Sequence, residues 1–143
     1  METKGGYLIS RIKQVGGRRF DRMLDEAGID AFNGAQGRIL YVLWQEDGVT
    51  ISQLSSRTSL ANTTLTSMLD RMEQGGLIRR EPSPRDRRAL LIRLTDAARA
   101  LKADYDRISQ QMTDLYYIGF TEAEVRQFEG YLARVLNNLE GGK

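Results

Sequence analysis

The sequence predicts a mainly α-helical protein that carries one small β-hairpin. Apolar residues recur three and four positions apart in several separate stretches, which is the periodicity of amphipathic helices. Residues 77–94 instead alternate apolar and polar side chains around a proline-containing turn, which is typical of two paired strands. The length of 143 residues, with 41% hydrophobic and 28% charged residues, is that of a single globular domain.

Two helices are predicted at the start of the chain. The first covers about 7–27, where one face repeats apolar residues and Gly28 is a natural helix end. The second begins near Asn33, because Asn33 and Gln36 have the spacing of a capping box, and it ends near 46–48. Its centre is apolar on most sides, so we expect this helix to be deeply buried.

A short third helix and a longer fourth helix follow. Thr50 and Gln53 form another capping-box pattern, and a turn is expected around 58–61. The fourth helix is predicted over Asn62–Gln74, and Gly75-Gly76 end it. Its apolar stripe consists of Leu65, Met68, Leu69 and Met72, whereas Thr63, Ser67, Asp70 and Gln74 point the opposite way.

The hairpin is predicted from two strands, Leu77–Glu81 and Ala89–Leu94, joined by the loop Pro82–Arg88. The segment between Arg79 and Arg93 contains six arginines and two acidic residues, a net charge of +4 in a chain whose total is +2. Such a concentrated basic element favours an anionic partner, most often a nucleic acid. A solvated arginine-rich loop is the alternative interpretation.

Two more helices complete the predicted fold. Thr95 is a suitable N-cap for a long fifth helix, which Gly119 ends, and Thr121 and Glu124 form a capping box for the last helix. The fifth helix carries a heptad-like seam made of Ala98, Leu101, Tyr105, Ile108, Met112 and Leu115. The last helix carries a stripe made of Val125, Phe128, Leu132, Val135 or Leu136, and Leu139.

Several classes of function are disfavoured by the composition. Cysteine and histidine are both absent, so the chain has no thiolate or imidazole for catalysis or metal binding. Neither the P-loop nor the dinucleotide-binding glycine motif occurs, and Glu122 and Glu124 fit helix capping better than catalysis. We therefore expect no enzyme, no cofactor and no metal. No apolar run could span a membrane and no signal-peptide core follows Met1, so a cytoplasmic location is expected.

The short third helix, the turn near Ser59 and the fourth helix match the geometry of a helix-turn-helix, whose second helix enters the major groove of DNA. A basic hairpin directly after that helix makes it a winged helix-turn-helix. A solvated surface helix is the alternative. The candidate DNA-contacting residues are Asn62, Thr63, Thr64, Thr66, Ser67 and Arg71 on the helix, and Arg85, Asp86, Arg87 and Arg88 on the wing.

Asp86 is unexpected among arginines at a DNA surface. We expect it to order the loop, by pairing with Arg88 or with an N–H group of the turn. The alternative is a simple loop carboxylate.

These residues resemble the MarR family of bacterial transcriptional regulators. The resemblance lies in the run Asn62–Glu73, in Gly76-Leu77-Ile78, in Asp86-Arg87-Arg88-Ala89 and in Leu94-Thr95, and the order of the helices agrees over nearly the whole chain. It implies an obligate homodimer on a pseudo-palindromic operator, with Thr64, Thr66 and Arg71 at the DNA and with Asp86 and Arg88 shaping the wing. Ser67 departs from the family, because many relatives carry arginine there.

The resemblance also implies a division of the chain. Residues 33–95 form the winged DNA-binding lobe, and residues 4–31 and 96–140 form a helical dimerisation region. Amphipathic helices outside the lobe support a dimer independently, since a monomer would leave their apolar faces poorly covered. A monomeric helical cap is the alternative.

The resemblance implies a dimeric repressor or activator, of which a repressor is expected, and members of the family often bind small aromatic or phenolic anions. The candidate effector pocket consists of Tyr7, Arg11, Arg18, Phe20, Tyr41 and Trp44. Ordinary core aromatics and surface arginines are the alternative interpretation of that set. The absence of cysteine disfavours the peroxide-sensing branch, and the absence of histidine disfavours the zinc-sensing branch. A winged-helix module that binds protein instead of DNA remains the alternative function.

Overall fold

The computed structural model describes residues 1–141 and divides the chain into two compact units, Met1–Ser109 and the residues from Gln110 onward. The described helices are α1 (Gly5–Glu26), α2 (Gly34–Gln45), α3 (Ile51–Thr58), α4 (Asn62–Gln74), α5 (Asp96–Ala100), α6 (Lys102–Tyr116) and α7 (Glu122–Leu139). The described strands are β1 (Val49–Thr50), β2 (Ile78–Pro82) and β3 (Leu90–Leu94). The predicted class, mainly α-helical with a small β-hairpin, is confirmed.

Side-chain caps fix where several of these helices begin. The three predicted capping boxes form at α2, α3 and α7. In each, the N-cap side chain accepts the backbone N–H of the third helical residue, and the side chain of that residue accepts the backbone N–H of the N-cap. Each cap satisfies two backbone N–H groups that have no partner inside the helix. Helix α4 has the predicted bounds, although its N-cap is Ala61, which offers no side-chain bond.

The hairpin strands belong to a three-stranded antiparallel sheet in the order β1-β3-β2. Strand β2 pairs with β3 from Ile78 opposite Leu94 to Pro82 opposite Leu90. Strand β1 was not predicted. It consists of two residues, paired with Leu91 and Ile92, and a strand of that length is too short to show an alternating pattern.

The core of the first unit packs α2, α3 and α4 against the sheet. Buried side chains come from every one of these elements, namely Ile39, Leu40, Leu43, Leu54, Leu65, Leu69, Met72, Ile92 and Leu94. Each such side chain stabilises the fold by about 1.5–3 kcal/mol relative to exposure. Three of the four residues in the predicted α4 stripe are buried, and Met68 is half-buried. The opposite face of α4 is consequently held at the surface.

The prediction of one long fifth helix is wrong in detail. Helices α5 and α6 are separated by Leu101, whose N–H bonds the carbonyl of Ala98, three residues back, at 3.1 Å. This tighter turn replaces the four-residue spacing of the α-helix at that point. The predicted N-cap is confirmed, because the Thr95 hydroxyl accepts the N–H of Ala98 at 3.2 Å.

The second unit contains the turn between α6 and α7. Gly119 lies in the left-handed region with φ +85°, and the Tyr117 hydroxyl donates to Glu129 Oε2 at 2.7 Å. The carboxylate raises the pKa of Tyr117 to about 12, because its hydrogen bond and charge oppose formation of the phenolate. No residue of α7 is buried. Among residues 1–141, none of the helices is both long and apolar enough to cross a membrane.

Candidate nucleic-acid interface

The turn between α3 and α4 is held by side-chain hydrogen bonds. Ser59 adopts φ +60° and Thr58 is buried, with its hydroxyl donating to the carbonyl of Leu54 at 2.6 Å and accepting the N–H of Leu60 at 3.3 Å. The Ser55 hydroxyl donates to the carbonyl of Leu60 at 2.7 Å. These bonds fix the direction in which α4 leaves the turn, as a helix-turn-helix requires.

The predicted contact residues of α4 all lie at its surface. Asn62, Thr63, Thr64, Thr66, Ser67 and Arg71 are exposed. The Thr66 hydroxyl donates to the carbonyl of Asn62 at 2.9 Å, so this hydroxyl is already engaged within the helix. These exposed side chains are all polar and, apart from Arg71, small, which suits close approach to a nucleic-acid groove.

An open groove of about 510 Å³ runs along one flank of that face. Its α4 side consists of Thr63, Thr64, Ser67, Met68 and Arg71, and its other side of Asn33, Ala35 and Gln36 at the start of α2. The α2 residues were not predicted as part of the site. Their capping box explains their positions, but no sequence pattern links them to α4.

The wing tip is a compact turn organised by Asp86. Its Oδ1 accepts the backbone N–H of Arg88 at 3.0 Å, and its carbonyl accepts the N–H of Ala89 at 3.0 Å. The Ser83 N–H closes the loop on the carbonyl of Ala89 at 2.9 Å. Of the two roles expected for Asp86, the structure shows the bond to a turn N–H. Arg85, Arg87 and Arg88 are exposed around it.

The six arginines of the hairpin do not form one uniform basic surface. Arg79 and Arg93 lie directly opposite each other on β2 and β3, and Glu81 pairs with both at 3.7 and 2.6 Å. Arg80 pairs with two acidic residues of α4. Over residues 1–141, no acidic side chain lies within ion-pair distance of the three arginines at the tip. Uncompensated positive charge is thus concentrated at the tip.

Asp47, which was not predicted to have a structural role, connects the base of the wing to the rest of the unit. Its Oδ1 accepts the backbone N–H groups of Leu94 at 2.9 Å and Gly48 at 3.0 Å, and its Oδ2 accepts from Arg99 at 2.8 Å. This side chain connects the end of α2, the end of β3 and α5. It links the base of the hairpin to these two helices.

The candidate effector residues divide into two groups. Phe20, Tyr41 and Trp44 pack their rings on Tyr105 with centroid distances of 5.9, 5.9 and 5.2 Å. Burial raises the pKa of Tyr105, and a Cβ at Gly37 would lie 3.1 Å from its ring, so a side chain there would require the ring to shift by a few tenths of an ångström. The other group, Tyr7, Arg11 and Arg18, is exposed on α1. Within residues 1–141, no group of three or more acidic side chains could hold a metal ion.

Comparisons with known proteins identify the family. The MarR family model matches residues 32–90. The organic hydroperoxide resistance transcriptional regulator of Bacillus subtilis is 43% identical over 102 residues, which cover 71% of this chain and 67% of that protein. The chain belongs to the MarR family. The HTH-type transcriptional repressor IacR of Pseudomonas putida, 25% identical over 134 residues, is similar over 94% of this chain and 78% of its own length.

Solved MarR structures have the same fold. A MarR regulator from Methanosarcina mazei superposes with a TM-score of 0.83 at 21% identity, covering 93% of this chain and 94% of its own. A mutant MarR from E. coli, crystallised with operator DNA, superposes with a TM-score of 0.77 at 26% identity, covering 93% and 96%. MarR-family members are transcriptional regulators and not enzymes. The winged helix-turn-helix is therefore the part of this chain in which a functional site is expected.

Proposed function

We propose that this MarR-family regulator binds a specific duplex DNA operator as a homodimer, through α4 and the wing. The operator is expected to be pseudo-palindromic, because a two-fold dimer presents two copies of α4 about one helical turn of DNA apart. The operator complex of the E. coli relative supports the same kind of partner for this chain. A DNA-binding regulator of this kind acts in the cytoplasm.

The observation that carries the proposal is the combination of a polar helix face of mostly small side chains with uncompensated arginines at the tip of the hairpin that follows this helix. Thr63, Thr64, Ser67 and Arg71 offer hydrogen-bonding groups suited to base edges and phosphates. Arg85, Arg87 and Arg88 carry positive charge on a loop that Asp86 already orders. Ordering in advance reduces the entropy lost when the arginines engage phosphates.

The apolar faces of the terminal helices support the homodimer. Helix α1 exposes Tyr7, Leu8, Ile9, Ile12 and Val15, and α7 exposes Phe128, Tyr131, Leu132, Val135, Leu136 and Leu139. Apolar faces of this extent on a soluble monomer mark interfaces. We propose a second copy of the chain as their occupant, with residues 4–31 and 96–140 as the dimerisation region and 33–95 as the DNA-binding lobe.

Binding to DNA of two kinds tests the proposal. A duplex selected by the protein from a random library, or the duplex upstream of its own gene, is compared with unselected duplex over a range of salt. R87A and R88A are expected to weaken binding to both duplexes alike and to reduce the salt slope by about 0.9 per lost phosphate contact. T64A and R71A are expected to change sequence preference by roughly 1–3 kcal/mol per lost base contact.

Arg79 provides the matched control, because R79M removes the same charge from the same hairpin at a side chain already paired with Glu81. Its affinity is expected to stay near that of the wild type. Equal affinity of the wild type for selected and unselected duplex at every salt concentration would contradict specific DNA binding. That result would favour the winged-helix module that binds protein.

We further propose that the protein is a repressor released by a small aromatic or phenolic acid. The name of the Pseudomonas putida relative supports repression. The packing of Phe20, Tyr41 and Trp44 on Tyr105 supports an aromatic site, since a planar ring could replace one of these contacts. The chain has no cysteine, so a thiol switch is not available to it. Release of bound operator by benzoate or phenol derivatives, lost in Y41A, would support this assignment, whereas no release by any of them would contradict it.

A further inference from the structure

Arg80 joins the wing to α4 through two acidic side chains. Its Nη2 lies 2.9 Å from Asp70 Oδ1 and its Nη1 lies 3.0 Å from Glu73 Oε1. Its backbone N–H also donates to Glu73 Oε2 at 3.3 Å. The Arg80 side chain is only 19% exposed, and its register partner on β3 is the buried Ile92. The guanidinium is therefore held on the inner side of the sheet, against α4.

The two acidic residues are a liability on a helix that approaches DNA. Asp70 and Glu73 are 56% and 41% exposed, on the same helix as the candidate contact Arg71. Carboxylates near a phosphate backbone repel it and weaken association with any sequence. A guanidinium is suited to compensate two carboxylates at once, because its donors form a planar fork that stays charged at every relevant pH.

We propose that Arg80 is a positioning residue for DNA binding, which neutralises Asp70 and Glu73 and fixes β2 of the wing against α4. This inference rests on the proposed function. Arg80 acts through the carboxylates instead of through its own contact with phosphate, because both terminal nitrogens are already engaged by them. Arg80 thus differs in role from the free arginines at the wing tip.

A double-mutant cycle tests the inference. R80M, D70N/E73Q and the triple variant are compared with the wild type for affinity to a duplex selected by the wild type and to unselected duplex. R80M is expected to weaken binding to both by about tenfold or more, since two uncovered carboxylates then face phosphates. In the D70N/E73Q background, R80M is expected to cost no more than about twofold, because nothing remains to be neutralised.

Two further variants separate the alternatives. R79M removes the neighbouring charge of β2, at a side chain 56% exposed, and is expected to weaken binding by less than about threefold. D70N/E73Q alone is expected to bind unselected duplex more tightly than the wild type, because it removes two negative charges from α4 and keeps the positive charge of Arg80. The measurement on D70N/E73Q tests the inference even if R80M does not fold.

Thermal unfolding of each variant distinguishes positioning from a structural role, and affinities are compared where all are folded. A purely structural role would lower the unfolding midpoint of R80M and leave the affinities of folded R80M and D70N/E73Q unchanged, which would overturn the inference. Equal losses from R80M in both backgrounds would show that Arg80 contacts DNA itself, and would also overturn it. If the wild type binds no duplex, the proposed function is overturned together with this inference. If the wild type binds tightly and R80M binds equally tightly, only this inference is overturned.

Discussion

Replacing Asp47 with alanine is expected to lower the free energy of unfolding by about 2–3 kcal/mol. Asp47 is 23% exposed at its side chain and accepts three hydrogen bonds. Their contributions differ. The N–H of Leu94, on a residue only 2% exposed, loses its acceptor, and a buried donor without a partner costs roughly 1–3 kcal/mol. The N–H of Gly48 keeps its second acceptor, the carbonyl of Ile92 at 3.0 Å.

The ion pair of Asp47 with Arg99 contributes little to the expected loss of stability in D47A. The Arg99 side chain is 51% exposed, and a pair of this exposure contributes less than about 1 kcal/mol. Arg99 also has a second partner, the fully exposed Asp96, at 3.0 Å. The acceptor for the Leu94 N–H, and not the charge, is thus expected to dominate the effect of D47A.

Chemical denaturation of three variants checks this reasoning. D47N keeps an oxygen that can accept the Leu94 N–H and is expected to lose at most about 1 kcal/mol, whereas D47A loses the full amount. D96A removes the other carboxylate at Arg99 and is expected to be indistinguishable from the wild type. A D47N as unstable as D47A would show that the charge carries the stabilisation, and a D47A as stable as the wild type would refute the argument entirely.

Three other predictions concern single sites. S59G is expected to raise the free energy of unfolding by up to about 1 kcal/mol. Ser59 has φ +60°, a conformation that costs residues other than glycine about 1–2 kcal/mol. A lower thermal midpoint in S59G would contradict this prediction. E81Q is expected to destabilise the hairpin, because the positive charges of Arg79 and Arg93 then lie opposite each other without a carboxylate to neutralise them. Faster amide hydrogen exchange in β2 and β3 would confirm this. E129Q is expected to lower the pKa of Tyr117 from about 12 toward its ordinary 10.0, visible by ultraviolet titration. Because the folded pKa is raised, the Tyr117–Glu129 bond stabilises the fold below pH 10 and is lost as pH approaches 12, so E129Q and the wild type should differ less in stability above that range.

Local chemistry explains which parts of the fold were predictable. Helix α4 was predicted with its observed bounds, because its apolar stripe and the following Gly75-Gly76 are contained in one short segment. The capping boxes were predictable for the same reason, since both partners lie three residues apart. Leu101 was not recognisable as a helix break, because its side chain continues the apolar seam and only the backbone bonding changes.

The candidate site was predictable in composition but not in charge distribution. Every contact residue proposed on α4 is exposed, since the apolar stripe determines which face remains outside. The net charge of +4 on the hairpin follows from the sequence. Which of its arginines pair with acidic residues and which remain unpaired could not be predicted. Arg80 and Asp70 are ten residues apart and meet only when β2 packs on α4. Asp47 and Leu94 are still further apart, and their bond depends on the whole sheet.

The aromatic packing around Trp44 makes this residue an intrinsic fluorescence probe. Trp44 is the only tryptophan of the chain, so indole emission excited near 295 nm comes from a single place. Its Nε1–H donates to the carbonyl of Ala98 at 3.1 Å while its ring lies 5.2 Å from that of Tyr105. Any displacement of α5 from α2 would break that bond and alter the polarity around the indole. Emission wavelength and quenching by iodide would therefore follow this junction directly, without a label, during unfolding or on addition of a small molecule.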